Sequence, residues 1–97
     1  MYKLWGKLYT NQQMTHQVTL PCEAASYYDF DTIKVGIADV CKQFDVGMPV
    51  LLPSHRDEFA KFGRASFRQG DFLEDVLFDR MEIQIFSDKK KVTRPRY

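Results

Sequence analysis

Four side chains of this 97-residue chain combine metal affinity with nucleophile or base chemistry: His16, Cys22, Cys41 and His55. Structural zinc sites place ligand pairs about two to four residues apart on a turn. Here the nearest two, His16 and Cys22, are separated by a strand end and a proline. That spacing predicts no metal site, and no motif implies a cofactor. Nucleophilic catalysis needs a nucleophile, a base and an orienting group that meet in space. The chain contains no G-x-S-x-G elbow, no phosphate-binding G-x-x-x-x-G-K-[ST], no G-x-G-x-x-G and no H-E-x-x-H. The carboxylate pairs Asp57-Glu58 and Glu74-Asp75 are sequence neighbours, a pattern of solvated surface rather than of a buried general acid. The expectation is a protein without enzymatic activity.

Binding chemistry is better represented. Eight phenylalanines, five tyrosines and one tryptophan exceed what a core of this size needs, so some rings must lie at the surface. Strand alternation over Lys3 to Tyr9 puts Trp5 and Tyr9 on one side with Lys3 and Lys7. Aromatic anchors beside cations are enriched at interface hot spots. Trp5, Tyr9, Lys3 and Lys7 are therefore the candidate partner-binding residues, for an unknown protein or for a second copy of the chain in a homodimer. Residues 64–78 are expected to fold across this face and cover it; otherwise it is an open patch.

The alternative partner is nucleic acid, held by Arg64, Arg68 and the C-terminal cations Lys89, Lys90, Lys91, Arg94 and Arg96. Charge argues for a division of labour. Residues 1–87 hold nine Lys/Arg against twelve Asp/Glu, whereas residues 88–97 hold five against one. A body of charge −3 opposes polyanions, so that affinity is expected chiefly in the tail.

These residues need elements to hold them. Lys3 to Tyr9 reads as a first strand, the polar Thr10-Asn11-Gln12-Gln13 as a turn, and the next run as a second strand with His16, Val18 and Leu20 facing opposite to Thr15, Gln17 and Thr19. Pro21 should end that strand or lie on an open edge. Ile33, Ile37, Val40, Cys41 and Phe44 recur at helical spacing, with Asp29 or Asp31 available as cap and Gly47 as stop. Gly36 inside this helix implies close packing against a neighbour. Val50-Leu51-Leu52, between two prolines, suggests a short buried strand or extended connector. Ser54 is placed to cap a short helix over His55 to Phe62, with Asp57 supporting it, Phe59 and Phe62 buried and Gly63 ending it. Arg64 to Val76 reads as an ordered loop with at most a short strand, and Leu77 to Ser87 as the last strand. Residues 88–97 have little to bury and are expected to form a disordered basic tail. The fold class is α+β: residues 1–87 form one domain in which a small, mostly antiparallel sheet, an N-terminal hairpin plus a C-terminal strand, is packed by one main amphipathic helix and one short helix.

No apolar run approaches the roughly 18 residues of a membrane span. The first residues lack the apolar core of a signal peptide, so no membrane partner and a cytoplasmic location with reduced thiols are expected. The stretches Trp5-Gly6-Lys7, Leu52-Pro53-Ser54-His55-Arg56-Asp57-Glu58-Phe59 with Phe62-Gly63-Arg64, and Phe78-Asp79-Arg80-Met81-Glu82-Ile83 resemble a group of short uncharacterised proteins from anaerobic Gram-positive bacteria. The resemblance covers most of residues 2–87 and implies a bacterial cytoplasmic setting, with no activity, ligand or functional residue attached.

Overall fold

The chain turns first in two residues. Asn11 and Gln12 both take positive φ, 53° and 67°, a geometry that matches the twist of the strands on either side. β1 (Tyr2–Thr10) and β2 (Gln13–Cys22) form the resulting hairpin, followed by α1 (Phe30–Phe44), α2 (Pro53–Phe62), β3 (Arg64–Arg68) and β4 (Arg80–Ser87). The computed structural model describes residues 2–26 and 29–87. The basic segment 88–97 singled out above lies outside them. All strand pairs are antiparallel, in the order β2-β1-β4-β3. The protein is thus a small α+β domain, as expected.

One side of the sheet carries the core. Leu4 and Leu8 of β1, Ala65 and Phe67 of β3, and Met81, Ile83 and Ile85 of β4 pack with Ile33, Ile37, Val40 and Cys41 of α1 and Phe59 of α2. Each fully buried Ile, Leu or Phe contributes about 1.5 to 3 kcal/mol. The closest approach of the layers is reciprocal: a side chain at Gly36 would run into Leu4, and one at Gly6 into Val40. The expected reason for a glycine inside α1 is therefore met.

Local signals explain the ends of α1. Asp29 accepts hydrogen bonds from Thr32 N–H (3.4 Å) and Ala25 N–H (3.0 Å), and these bonds hold its carboxyl below the usual carboxylate range. The helix stops before Gly47, because Asp45 itself adopts the left-handed conformation, with φ 60°.

Several expectations are corrected. In β2, Leu8 pairs with His16 but Tyr9 with Met14, leaving Thr15 as the extra residue of a bulge, its hydroxyl donating to the Leu8 carbonyl at 3.3 Å. Met14, not Thr15, therefore shares a face with Gln17. Residues 50–52 form no strand and are not buried as a unit: Val50 and Leu52 are exposed, and an isolated bridge between Pro49 and Phe72 fixes the connector. α2 is not capped by Ser54. It starts with Pro53, and the buried His55 accepts the Leu52 N–H on Nδ1 at 3.1 Å. Phe59 is buried, but Phe62 is exposed, with the Arg64 guanidinium 5.8 Å from its ring centre. The short strand allowed for within Arg64 to Val76 is Arg64 to Arg68, a full member of the sheet. β4 begins at Arg80, and Leu77 stands in solvent.

Candidate functional site

With both helices on one side, no described element lies over the other side of the sheet. Alternation and pairing register give its rows across β2, β1, β4 and β3: Thr19, Trp5, Gln84, Arg64; then Gln17, Lys7, Glu82, Ser66; then Met14, Tyr9, Arg80, Arg68. Lys3 and Phe86 extend it toward the start of β1. The partner-binding residues Trp5, Tyr9, Lys3 and Lys7 and the arginines Arg64 and Arg68, read from the sequence as two alternative sites, therefore form one surface.

Residues 64–78 do not cover this face. β3 widens the sheet, and the chain beyond it turns to the helix side, where Phe72 and Phe78 enter the core with ring centres 5.3 Å apart. Phe67 and Phe72 find their shelter there, which removes the need to lie over Trp5.

The middle of the face is internally satisfied. Lys7, 7% exposed, has its ammonium 3.9 Å from the Trp5 ring centre and 3.1 Å from Glu82. Glu82 also lies 3.7 Å from Arg64 Nε, and Trp5 Nε1–H donates to Gln17 Oε1 at 2.9 Å. The lower row differs. Arg68 and Arg80 are directly opposite in register, and neither has a carboxylate within ion-pair distance among the described residues. Arg80 lies over the Tyr9 ring, 4.0 Å from its centre. Ser66, Arg68, Gln69, Gly70, Asp79 and Arg80 enclose a shallow hollow of about 560 Å³ beside this pair. Asp79 brings one negative charge to the rim of this hollow, and its carboxylate is oriented by the Asn11 N–H, which donates to it at 2.7 Å.

The charge objection read from the sequence is corrected by this geometry. Five of the nine cations in residues 1–87 lie on the open face (Lys3, Lys7, Arg64, Arg68, Arg80), with Glu82 as the one acid among its rows. The face carries +4 and the rest of residues 1–87 carries −7. Arg80 and Glu82 were missed as site residues. Their alternation was visible, but their place between β1 and β3 was not.

The remaining chemistry-bearing groups are dispersed. His55 is buried with its ring centre 4.3 Å from that of Phe67. Its Nε2 lies 3.5 Å from Asp71 Oδ2, so its role here is to tie α2 to the turn after β3. Cys22 lies in a cleft with Pro21, Thr32, Val35 and Asp39. Burial pushes its thiol up, and pushes that of Cys41 to about 11. His16 lines a third hollow, with Phe44 and Glu74. Among the described residues, no three His, Cys, Asp or Glu side chains are grouped to hold a metal. No described helix is long and apolar enough to cross a membrane. No family model matches the chain, and no curated protein or solved structure matches it.

Proposed function

We propose that this protein is a non-enzymatic binding domain of the cytoplasm whose open sheet face holds single-stranded nucleic acid. The carrying observation is the row Tyr9, Arg80, Arg68, in which two arginines face each other beside a hollow, with no carboxylate in ion-pair distance of either among the described residues. Like charges directly opposite in a sheet are destabilising, and a phosphate between two guanidiniums would relieve that pair while making bidentate bonds. Tyr9 and Trp5 lie on the adjacent strand, where bases can stack on rings or on guanidinium planes. A single strand suits the face because its bases are available for stacking, whereas a duplex hides them. Two free, buried thiols suit a reducing compartment.

Anisotropy of a labelled single strand of mixed sequence, beside its duplex, tests this in a titration that also follows the emission of Trp5, the one tryptophan. The single strand binds more tightly, quenches Trp5, and shows a log–log salt slope of about −2 to −3 for three or four neutralised phosphates. Combined Arg64→Ala and Arg68→Ala reduces that slope by about 1 to 1.5. Absent binding at low salt overturns the reading. So does binding that survives this double substitution but vanishes in a chain ending at Ser87. Capture of an acidic protein with no affinity for either nucleic acid would replace it with a protein partner.

A further inference from the structure

The two edges of the sheet are built differently. β3 is five residues long and carries an arginine at each end, the kind of short, charged edge that resists pairing with another chain. β2 is ten residues long, from Gln13 to Cys22, and contains no Lys, Arg, Asp or Glu. Among the described residues, no strand lies on its outer side. Two features interrupt it: the bulge at Thr15 bends the strand, and Pro21 has no N–H to give. Between them lies a regular window, His16-Gln17-Val18-Thr19-Leu20, with Val18 at its centre.

We infer that the protein forms a homodimer by antiparallel pairing of β2 with β2 of a second copy, about a two-fold axis through Val18. In this register Val18 faces Val18 of the second copy, Gln17 faces Thr19, and His16 faces Leu20. Polar pairs lie on the open face and the largely apolar ones on the helix face, and no carboxylate, lysine or arginine opposes a like charge. The same edge is flanked by exposed apolar side chains. Met14 is 42% exposed beside the bulge, and Val35 of α1, 63% exposed, lines the cleft with Pro21 and Cys22. Two-fold pairing is isologous and closed, so it uses up the uncharged edge and leaves only the arginine-bounded β3 edges outside. The bulge and the proline confine the pairing, which separates a defined dimer from open-ended strand addition. The inference does not depend on what the open face binds. It does join two such faces into one eight-stranded surface.

Light scattering coupled to sizing of the full chain, over an approximately hundredfold concentration range, reads the assembly directly. A dimer is expected, with hydrogen exchange at residues 16–20 slowing as concentration rises. Combined Gln17→Lys and Thr19→Lys places ammonium groups opposite each other twice across the axis and weakens the dimer by about tenfold, with the circular-dichroism spectrum retained. Mixing that variant with Gln17→Glu combined with Thr19→Glu restores a heterodimer. A wild-type chain that stays monomeric at the highest concentration overturns the proposal. So does a dimer that the lysine pair leaves unweakened, or one whose 16–20 amides exchange at the same rate at every concentration.

Discussion

Arg68 and Arg80 break a local rule of sheet construction, and such breaks concentrate at functional sites. Directly opposed like charges weaken a strand pair, by up to roughly 1 kcal/mol. Arg80 is partly compensated by the Tyr9 ring beneath it, whereas no ring among the described residues supports the Arg68 guanidinium. Arg68→Ala therefore relieves repulsion without opening the core, since position 68 is exposed at the end of β3. The expected outcome is a urea midpoint unchanged or raised, by up to about 1 kcal/mol of stability, together with severalfold weaker binding of single-stranded nucleic acid. A residue kept for structure shows the opposite: lower stability and unaltered binding. Loss of stability in Arg68→Ala would therefore remove this pair as the anion site.

At the scale of elements, α1 and β1 are fitted to each other through two glycines. Gly36→Ala on an isolated helix gains about 1 kcal/mol of propensity. Here the added methyl meets the side chain of Leu4, which is fully buried in the core and must shift to admit it. Overpacking of this kind costs about 1 to 3 kcal/mol, so Gly36→Ala is expected to lower stability by about 1 kcal/mol net. Chemical unfolding monitored by circular dichroism checks it, and a stabilised variant would mean that the layers slide easily. This helix was legible in the sequence because five apolar residues keep its period, and the hairpin because Leu4, Gly6 and Leu8 alternate with the lysines and rings. β3 was legible only as room for a short strand within a loop, because Ala65 and Phe67 give only two inward positions between Gly63 and the Gln69–Asp71 turn. Val50–Leu52 could be read as a short strand or as a connector, and the connector holds; the apolar run could not decide, since it does not say whether a partner strand is within reach. The start of α2 was misplaced for a related reason: His55, three residues after the cap position Leu52, accepts the Leu52 N–H, the reach-back bond that Asp57 was expected to make one turn further on. Half of the site was readable from alternation in β1. The other half required the order β2-β1-β4-β3, which no periodicity carries.

Across the whole molecule, the sheet separates charge: +4 on the open face, −7 over the remainder of residues 1–87. Net charge is therefore a poor guide to what this protein attracts. A helix layer packs about 10 Å from its sheet, and at 0.1 M salt the Debye length is about 10 Å, so acids on the helices' outer sides are largely screened from a ligand on the open face. Glu82 is different, lying within the face between Lys7 and Arg64. Asp39 and Asp57 are exposed on α1 and α2 and make no ion pair within the described residues. Combined Asp39→Asn and Asp57→Asn raises the net charge by two, yet is expected to change single-strand affinity by less than about twofold at 0.15 M salt. Glu82→Gln raises it by one and is expected to tighten binding severalfold. It also lowers stability by about 1 to 3 kcal/mol, because it leaves the buried Lys7 ammonium without its carboxylate. Anisotropy titrations of the two variants, paired with their unfolding curves, decide between a local and a global field. If the helix-side pair strengthens binding as much as Glu82→Gln does, attraction follows total charge and the open face is not the site; if only Glu82→Gln does, the ligand lies within one Debye length, roughly 8 to 10 Å, of that carboxylate.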